Sequence, residues 1–340
     1  MAESLGVLLL SFESYDGTHQ RLMYAPVFAR HPRCRIVAVA DAADAPAEVH
    51  DLNRREANAL GVPYLMDAAS ALARDDVQIV SLCSGLRRRA ALTDLVARSG
   101  KALLIDKPMA VGIADAAAMV ATVRRRGILA MPAYHYRFDA AIRGAREEIA
   151  RGRIGLPYAI HAEFLIATGR TVSSLGELRN FGVYPVDAIR ALTGCDVRTV
   201  FATVARGLIG GVGREGPEDF AFLAMSLDHG IIATTSVGRT GVHTHPKGYP
   251  GDRTIRIAGS HGTLLVDAHR PALWIYGPDR AEQRSFAESS VYLLIDHLVR
   301  CVQGETAPDI TPEDGLAAVA VIETAYRSAS LGQVLPIATV

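Results

Sequence analysis

The sequence contains GVLLLSF at residues 6–12 and RIVAVAD at residues 35–41, two short apolar runs that an amphipathic stretch separates. Four further apolar runs follow, and they are VPYL (62–65), VQIVSLC (77–83), ALLID (102–106) and ILAMPAY (128–134). The segments between the runs carry helical spacing, as in AALTDLVARSG at residues 90–100. Apolar strands that alternate with helices are typical of a parallel sheet covered on both faces. We therefore predict a doubly wound α/β domain over residues 1–133.

The second half of the chain has a different pattern, in which apolar and polar residues alternate within strands. Six strands of this kind are YAIHAEFLIA (158–167), VRTVFATVA (197–205), DFAFLAMSL (219–227), GIIATTSVG (230–238), TIRIAGS (254–260) and GTLLVDA (262–268). The alternation predicts an open-faced mixed or antiparallel sheet with helices on one face. Two helical segments close the chain, and the second has Thr311 as its predicted N-cap and Pro312 as its first residue. We predict a second, α+β domain over residues 134–340, and packing of its final helix and tail on the first domain is left open.

Composition and charge exclude several classes of protein. The chain has 340 residues, enough for two domains of ordinary size. Its 36 basic residues balance its 36 acidic residues, whereas binders of nucleic acid or of anionic membranes need a surplus of cations. The four cysteines form no C-x-x-C pair, so the sequence indicates neither a zinc site nor a disulfide framework. We expect a cytoplasmic protein without a metal and without nucleic-acid or membrane partners.

Candidate ligand-binding residues follow directly from the predicted parallel sheet. Ligands of such sheets bind at the carboxyl ends of the strands. The residues just after the apolar runs are Ser11 to Gly17, Asp41, Cys83 to Gly85, Asp106 to Pro108, and Tyr134 to Phe138. These five stretches are where we expect functional residues.

The segment after the first run, SFESYDGTHQ (residues 11–20), occupies the place where a dinucleotide-binding sheet usually carries G-x-G-x-x-G. That signature is missing here. Glu13 and Asp16 repel a phosphate unless they point away from it, whereas Ser11 and Ser14 offer hydroxyl and N–H groups to it. The alternative is an ordinary turn between a strand and a helix, without a ligand.

Asp41 ends the second apolar run. From this position a carboxylate accepts the ribose hydroxyls of the adenosine and repels a 2′-phosphate. The position therefore favours NAD over NADP as the cofactor. The alternative is that Asp41 only caps the turn that follows it.

Residues 100–110 read GKALLIDKPMA and resemble the segment G-K-x-V-x-x-E-K-P-x-A of the Gfo/Idh/MocA family of NAD(P)-dependent oxidoreductases. Four more stretches resemble the family in order and spacing, namely residues 35–41, Tyr136 to Phe138, residues 182–194 and residues 257–267. The tail from Asp296 onward resembles the C-terminal segment of the family. The resemblance implies a Rossmann-like first domain, a nicotinamide cofactor, and a substrate among sugars and cyclitols.

The resemblance also implies which residues of the first domain contact the cofactor. They are Ser11, Phe12, Asp41, Cys83, Ser84, Asp106, Lys107 and Pro108. The chain departs from the family pattern at several of these positions. Asp106 replaces a Glu, Cys83 and Ser84 replace the pair T-P, and the glycine fingerprint is absent, although some family members share the Ser-Phe pair.

Hydride transfer from a carbinol carbon requires a group that removes the hydroxyl proton and a positive charge that stabilises the alkoxide. We assign these roles to Tyr184 and Lys107, because an ammonium near a phenol favours the phenolate. The family motif D-x-G-x-H-x-x-D carries a catalytic acid and histidine. This chain has Asn180, Tyr184 and Asp187 at the three side-chain positions, which implies that Asn180 and Asp187 position the substrate. Taken alone, Tyr184 is a core tyrosine and Asp187 a helix cap.

Further candidate substrate contacts lie in two other stretches. Tyr136 and Arg137 follow the last apolar run of the first domain. Arg137 either binds a substrate hydroxyl or carboxylate, or caps a neighbouring helix. His245 belongs to the polar segment at residues 241–253, where the pair His-x-His has no evident third metal ligand. We therefore treat His245 as a substrate contact and predict no metal site.

Three hypotheses about function follow. The main one is a NAD-dependent oxidoreductase that interconverts a secondary alcohol and a ketone on a sugar, cyclitol or related polyol. A second is a redox-neutral cycle that oxidises the sugar, eliminates or epimerises beside the ketone, and reduces it again; a third is a non-catalytic sensor of a dinucleotide or sugar. Apolar residues on the open sheet face, as in FAFLAMSL (220–227), also predict a homodimer or homotetramer formed through that sheet.

Overall fold

The computed structural model describes residues 4–14, 18–167, 172–207, 215–240, 251–278 and 281–338. The chain divides into two compact units. The first comprises Met1–Ala133 and Val291–Leu316, and the second comprises Tyr134–Ser290 and Ala317–Val340. The C-terminal part of the chain therefore contributes to both units.

The first unit is built on a parallel sheet that has six strands within the described residues. The strands are β1 (Leu5–Leu10), β2 (Cys34–Ala40), β3 (Tyr64–Leu65), β4 (Ile79–Leu82), β5 (Ala102–Ile105) and β6 (Ala130–Pro132). Their order in the sheet is β3-β2-β1-β4-β5-β6, and each neighbouring pair is parallel. Consecutive residues of β1 and of β4 are buried, so both faces of the sheet are covered. The predicted doubly wound parallel sheet is confirmed.

Helices connect the strands of this sheet. They are α1 (Ala25–Arg30), α2 (Ala47–Leu60), α3 (Ala68–Leu72), α4 (Leu86–Ser99) and α5 (Ile113–Arg126). A π-helical turn at Gln20–Tyr24 leads into α1. Because α4 begins immediately after the segment that follows β4, its N-terminus lies at the carboxyl edge of the sheet.

The second unit contains a mixed sheet with nine strands among the described residues. The strands are β7 (Pro157–Ile166), β8 (Val197–Ala205), β9 (Phe220–Leu227), β10 (Ile232–Arg239), β11 (Arg253–Gly259), β12 (Gly262–Asp267), β13 (Ala272–Tyr276), β14 (Ala281–Ser285) and β15 (Leu335–Pro336). Their order is β14-β13-β12-β11-β7-β10-β9-β8-β15. Strands β7 and β10 pair in parallel, and the other pairs are antiparallel.

The two faces of this mixed sheet differ in burial. In β9 the side chains of Ala221, Leu223 and Met225 are buried, whereas Phe220 and Phe222 remain half-buried. Helix α6 (Ala140–Ala150) contacts β12 and β13, α7 (Glu177–Phe181) contacts β9 and β10, and α8 (Val183–Thr193) contacts β7. The prediction of an open-faced sheet with helices on one face is therefore confirmed.

The junction between α7 and α8 depends on Gly182. A Cβ atom at this position would lie 2.4 Å from the carbonyl oxygen of Leu178, so a larger residue would displace the backbone of α7. Pro185 falls within the first turn of α8, where its missing N–H leaves no helical hydrogen bond unmade. The sequence therefore tolerates a proline close to Tyr184 without a kink in the helix interior.

Two long helices, α9 (Ser290–Val302) and α10 (Pro312–Leu331), match the two helical segments predicted near the C-terminus. Helix α10 begins at Pro312, and Glu313 and Asp314 lie in its first turn, as expected for acids near a positive helix end. The Thr311 N–H donates to Asp314 Oδ2 at 3.0 Å. The predicted start of α10 is confirmed.

Strands β13, β14 and β15 were not predicted. In β14, which reads AEQRS, exposed and half-buried residues alternate, and no apolar face marks it as a strand. It forms at the sheet edge because β13 offers it a row of backbone hydrogen-bonding groups. For β14, pairing with a neighbour, which a local pattern does not record, is the reason for this difference.

Asp139 at the start of α6 provides a test of stability against pH. Its Oδ1 accepts the N–H groups of Ala141 and Ile142, but burial raises its pKa to about 7 despite these bonds. Because the folded-state pKa is raised, the protonated Asp139 carboxyl stabilises the fold at a pH below its unfolded-state pKa of about 4. This stabilisation is lost as the pH rises through 7. The free energy of unfolding of Asp139→Asn is compared with that of the wild type at each pH. We expect this difference to shift in favour of the variant by about 2 kcal/mol when the pH rises from 5 to 8. Urea unfolding at the two pH values measures the difference.

Asp67 provides the matched control, because it caps α3 in the same way at an exposed position. Its carboxylate accepts the N–H groups of Ala69 and Ser70, and its pKa is lowered, first by the Ser70 hydroxyl and then by these N–H groups. Because the pKa of Asp67 is lowered, the sign is reversed: Asp67→Asn loses stability relative to the wild type only as pH rises through about 4, and it shows no gain between pH 5 and pH 8. If the difference in stability between Asp139→Asn and the wild type is the same at pH 5 and pH 8, burial does not raise the pKa of Asp139 as described.

Candidate functional site

The first candidate site lies at the carboxyl ends of β1 and β4, where the connections from the sheet leave in opposite directions. The strand order of the first unit places a crevice at this point, and such a crevice is where open α/β sheets bind ligands. The Ser14 N–H donates to the Cys83 carbonyl at 2.8 Å, and the Cys83 N–H donates to the Leu10 carbonyl at 3.0 Å. The segments that follow the two strands are therefore in direct contact.

Ser11 has a backbone conformation that favours glycine. Its φ is 70°, in the left-handed region, and its side chain is fully buried. The Ser11 N–H donates to Ala40 at 2.9 Å, and its Oγ accepts the N–H of Glu13 at 3.2 Å. Residues held in this region by surrounding contacts cluster at functional sites. Ser11 thus adopts a left-handed conformation at the place where dinucleotide-binding sheets usually carry a glycine.

The neighbouring positions Phe12, Cys83 and Ser84 are all buried. The Phe12 N–H donates to Asn53 Oδ1 at 2.8 Å, and burial raises the pKa of the Cys83 thiol well above its usual range. The Ser84 hydroxyl has no hydrogen-bond partner within the part of the chain that the structure describes. A buried hydroxyl without a partner is costly, and it fits a ligand that supplies one. The residues at this edge therefore suit a nucleotide cofactor.

Asp41 is fully buried and has protein partners at both carboxylate oxygens. Oδ1 accepts the N–H of Ala42 and Nη1 of Arg88, both at 2.8 Å, and Oδ2 accepts Nδ2 of Asn53 at 2.8 Å and Nη2 of Arg88 at 3.2 Å. These four bonds fill the acceptor positions of a carboxylate. The predicted contact of Asp41 with the ribose thus requires one of these partners to move, and it stays a prediction.

Asp106, at the end of β5, is a buried carboxylate to which several elements of the first unit donate. Its oxygens accept the Ser14 hydroxyl at 2.5 Å, His19 Nδ1 at 2.9 Å and the Tyr24 hydroxyl at 2.9 Å, with Arg89 at 3.5 Å. Burial alone would raise the pKa of Asp106, but the contacts with His19, Arg89 and Ser14 lower it far below its usual range. Asp106 therefore organises the loop after β1, and its predicted contact with the cofactor stays a prediction.

His19 carries its proton on a defined ring nitrogen. A carboxylate only accepts hydrogen bonds, so His19 Nδ1 donates to Asp106. Burial lowers the pKa of His19, and Lys107 lowers it further, although Asp106 opposes both. The ring is accordingly neutral near pH 7, with Nε2 as its acceptor.

Lys107 follows Asp106 and is 3% exposed. The peptide bond between Lys107 and Pro108 is cis. The Arg89 guanidinium donates to the carbonyl oxygens of Asp106 at 2.9 Å, Pro108 at 2.5 Å and Ser84 at 2.5 Å. Because Arg89 is itself buried, the backbone on both sides of Lys107 is held in place.

The second candidate site surrounds Tyr184 on α8, which lies in a cluster of aromatic rings within the second unit. Its ring centroid is 4.9 Å from those of His135 and Tyr136, 5.2 Å from Phe181 and 6.4 Å from Tyr134, all in edge contacts. His135 and Tyr136 belong to a 3₁₀ turn that follows the first unit. Tyr184 is only 2% exposed, so the cluster fixes the orientation of its ring.

Arg137 and Asp187 were both predicted as substrate contacts, and the structure pairs them with each other. Arg137 Nη2 lies 2.6 Å from Asp187 Oδ1, and Nε lies 3.0 Å from Oδ2, in a bidentate arrangement. Both side chains are buried. Such a pair holds the 3₁₀ turn against α8, so a contact of either residue with the substrate stays a prediction.

Tyr136, another predicted substrate contact, is a neutral phenol at physiological pH. Burial raises its pKa to about 12, although its hydrogen bond and charge interaction with Arg253 oppose the change. It is 8% exposed and also packs edge-on against Phe164 at 5.2 Å. Its hydroxyl is thus available as a donor or acceptor and not as a base.

Asn180 is buried, and Glu177, three residues earlier in the chain, fixes the orientation of its side-chain amide. Asn180 Nδ2 donates to Glu177 Oε2 at 3.0 Å, and Glu177 also pairs with Arg239 at 3.0 Å. Its predicted role at the substrate stays a prediction. His245 lies outside the described residues.

Sequence reasoning missed several residues that organise these sites. His19, Arg89 and Glu177 were not selected, and His135 lay within the selected stretch Tyr134 to Phe138 but received no role of its own. His19 and Arg89 contact Asp106, which lies 87 and 17 residues away, and His135 packs on Tyr184, so a local pattern does not reveal them. Glu177 is only three residues from Asn180, to which it is hydrogen-bonded. Arg88 and Arg89 lie in the first turns of α4, where a cation is unfavourable unless acids compensate it. That conflict with helix electrostatics is the signal in the sequence that could have identified them.

Two features are absent from the part of the chain that the structure describes. No group of three or more His, Cys, Asp or Glu side chains is placed to hold a metal ion there. No helix within the same residues is long and apolar enough to cross a membrane.

Comparison with known families identifies the class to which these two units belong. Residues 17–134 match the family model of the oxidoreductase family with a NAD-binding Rossmann fold, and residues 142–265 match the GFO/IDH/MocA C-terminal domain. The chain belongs to the Gfo/Idh/MocA family of oxidoreductases. The resemblance inferred from residues 100–110 is confirmed.

Individual relatives cover most of the chain. The inositol 2-dehydrogenase of Rhizobium meliloti is 27% identical over 324 residues, which cover 90% of this chain and 92% of the relative. The D-apiose dehydrogenase of Paraburkholderia graminis is 26% identical over 306 residues, 82% of this chain and 78% of the relative. The aldose-aldose oxidoreductase of Caulobacter crescentus, solved in complex with glycerol, superposes with a TM-score of 0.81 at 22% identity, covering 98% of this chain and all of that one. This last similarity supports the fold.

Proposed function

We propose that the protein is a NAD-dependent oxidoreductase that interconverts a secondary alcohol and a ketone on a sugar, cyclitol or related polyol. Lys107 carries this proposal, because it is a buried cation at the carboxyl edge of a parallel sheet whose order is that of dinucleotide-binding domains. Membership of an oxidoreductase family supports the reaction class. The names of the inositol and apiose dehydrogenases support the substrate class.

The proposed chemistry divides between Lys107 and Tyr184. When bound, the nicotinamide ring accepts or returns the hydride. The Lys107 ammonium stabilises the alkoxide that develops on the substrate, and the Tyr184 hydroxyl exchanges the proton of the substrate hydroxyl. Asn180 and the paired Arg137 and Asp187 position the substrate, with Tyr136 and His245 as further contacts.

The proposed cofactor is NAD, for which Asp41 at the end of β2 is the supporting residue. Ser11, Phe12, Cys83 and Ser84 line the edge that receives it, and Asp106 and Pro108 flank the reactive Lys107. NADP is the less favoured cofactor, because a 2′-phosphate adds negative charge beside Asp41.

Incubation with NAD and a panel of polyols, followed by NADH absorbance, tests the function. We expect turnover with at least one sugar or cyclitol, and we expect Tyr184→Phe to lower kcat by about 10²–10⁴-fold while NAD binding is retained. Tyr134→Phe, which removes a hydroxyl from the same aromatic cluster, is the matched control and changes kcat only slightly. Full activity in Tyr184→Phe contradicts the proton-transfer role and leaves the reaction class intact.

We further propose a homodimer or homotetramer formed through the open face of the mixed sheet. Ile232 and Tyr276 on that face are 61% and 43% exposed, and a concavity of about 310 Å³ lies beside Trp274. Large apolar side chains on a sheet face favour burial against a second subunit. Light scattering at micromolar concentration measures the mass, for which we expect at least twice the 36.4 kDa of one chain. A monomeric mass overturns this proposal, and Trp274→Arg is expected to shift an oligomer toward monomer.

We also propose a cytoplasmic location and a small-molecule partner in place of nucleic acid or membrane. The four cysteines are free, and Cys34, Cys83 and Cys195 are buried, which suits a reducing compartment. The formal net charge of zero supports the absence of a polyanionic partner.

A further inference from the structure

Glu13 lies in the segment that follows β1 and places its carboxylate against the start of α4. Its Oε2 accepts the Gly85 N–H at 2.8 Å, Arg88 Nη2 at 2.7 Å and Arg88 Nε at 3.0 Å. Three donors therefore converge on one carboxylate oxygen. The Glu13 side chain remains 28% exposed, so it is the outermost member of this group.

Gly85 and Arg88 are built to receive an anion. Gly85 precedes the first residue of α4, a helix of 14 residues, so its N–H lies at the positive end of the helix dipole. A Cβ atom at Gly85 would lie 2.4 Å from Glu13 Oε1, so glycine leaves room for the carboxylate in its present position. Arg88 adds a guanidinium fork, which matches carboxylate and phosphate oxygens alike.

Asp41 anchors Arg88 independently of Glu13. Nη1 of Arg88 lies 2.8 Å from Asp41 Oδ1, and the Asp41 side chain is fully buried. Departure of Glu13 therefore leaves the guanidinium in position. The pair between Glu13 and Arg88 is partly exposed, and solvent weakens pairs of this kind, so an incoming anion can replace the Glu13 carboxylate.

We propose that the Gly85 N–H and the Arg88 guanidinium form an anion subsite for a phosphate group of the cofactor, and that Glu13 fills this subsite until the phosphate displaces it. The inference rests on the proposed nucleotide-dependent function. Phosphates bind at helix N-termini in dinucleotide-binding sheets, and this subsite lies at the crevice between β1 and β4. The buried Ser84 hydroxyl, beside Gly85 in the chain and without a partner among the described residues, offers a further donor.

Calorimetric titration of the full chain with NAD, with NADP and with inorganic pyrophosphate tests the proposal. We expect Glu13→Gln to lower the Kd for NAD about tenfold, because the competing charge is removed. Glu13→Asp keeps the negative charge, but its side chain is too short to fill the subsite, so we expect this variant also to lower the Kd for NAD. If Glu13 acted only through its long-range charge, Glu13→Asp would leave the Kd for NAD unchanged. Arg88→Met removes the guanidinium and is expected to raise the Kd for NAD at least about tenfold.

Asp76→Asn is the matched control for charge. Asp76 lies before the amino end of β4 and pairs with Arg74 at 2.8 Å, so its neutralisation changes the net charge equally, at the other end of the strand from Gly85. We expect no change in Kd. Thermal unfolding without ligand checks that each variant is folded.

The three ligands distinguish the phosphate that binds. An equal gain for NAD and NADP in Glu13→Gln, matched by a gain for pyrophosphate, assigns the subsite to the diphosphate bridge, whereas a gain confined to NADP assigns it to the 2′-phosphate. An unchanged or higher Kd for all three ligands in Glu13→Gln overturns the proposal. If NAD and NADP do not bind to any variant, the proposed function fails, and the pyrophosphate titration alone then decides on the subsite.

Discussion

Lys107→Met is expected to lower kcat by about 10³-fold while the Kd for NAD changes by less than about threefold. Methionine retains most of the length of the side chain and removes the ammonium. The alkoxide that develops during hydride transfer then loses the stabilisation of this cation, which is large because Lys107 is buried. Steady-state kinetics with the best polyol of the panel, together with NAD titration, measure the two quantities.

Lys101→Met provides the control for Lys107→Met. Lys101 precedes the amino end of β5, and its Nζ donates to the Arg74 carbonyl at 3.1 Å, so it is a lysine at the opposite end of the same strand. We expect its kcat to stay close to that of the wild type. If Lys107→Met retains more than about a tenth of the wild-type kcat, the assigned role of Lys107 is wrong.

The fold was predictable wherever burial alone determines the local pattern. The runs at residues 6–12 and 35–41 are apolar on both faces because helices cover both sides of β1 and β2, and a local sequence window records this. Strand β14 is different, since it depends on an edge supplied by β13 and carries little apolar pattern of its own. Pairing between distant segments leaves a weaker local trace than burial does.

The candidate site was predictable to a smaller extent. Asp106 and Lys107 were found because the carboxyl end of a strand and a family motif coincide there. Their supports were not found, because the contact of His19 with Asp106 spans 87 residues and the contacts of Arg89 are made to carbonyl oxygens of any residue type. Local sequence patterns indicate which side chains react. They carry little information about the residues that position those side chains.

Asp106→Ala is expected to destabilise the first unit by about 3–5 kcal/mol. The change removes the shared acceptor of Ser14, His19 and Tyr24, and the donors are left buried without it. Because the folded-state pKa of Asp106 is depressed, its contribution is present above the unfolded value of about 4 and is lost as pH falls below it. The gap between wild type and variant is therefore widest near pH 7 and narrows as pH falls below about 4 toward the folded-state pKa, which urea unfolding at pH 7 and at about pH 2.5 measures.

Two further variants separate the Asp106 network from a general loss of charge. Asp94→Ala removes a half-buried acid that pairs with Arg98 on α4, and we expect a cost below about 1 kcal/mol. Asp106→Glu restores the residue type of the family motif, but the added methylene enters a fully buried site whose partners are spaced for the shorter side chain, so we expect a loss of about 1–3 kcal/mol. A urea midpoint for Asp106→Ala equal to that of Asp94→Ala contradicts the network, and a gain of stability in Asp106→Glu means that Ser14, His19 and Tyr24 adapt to either acid.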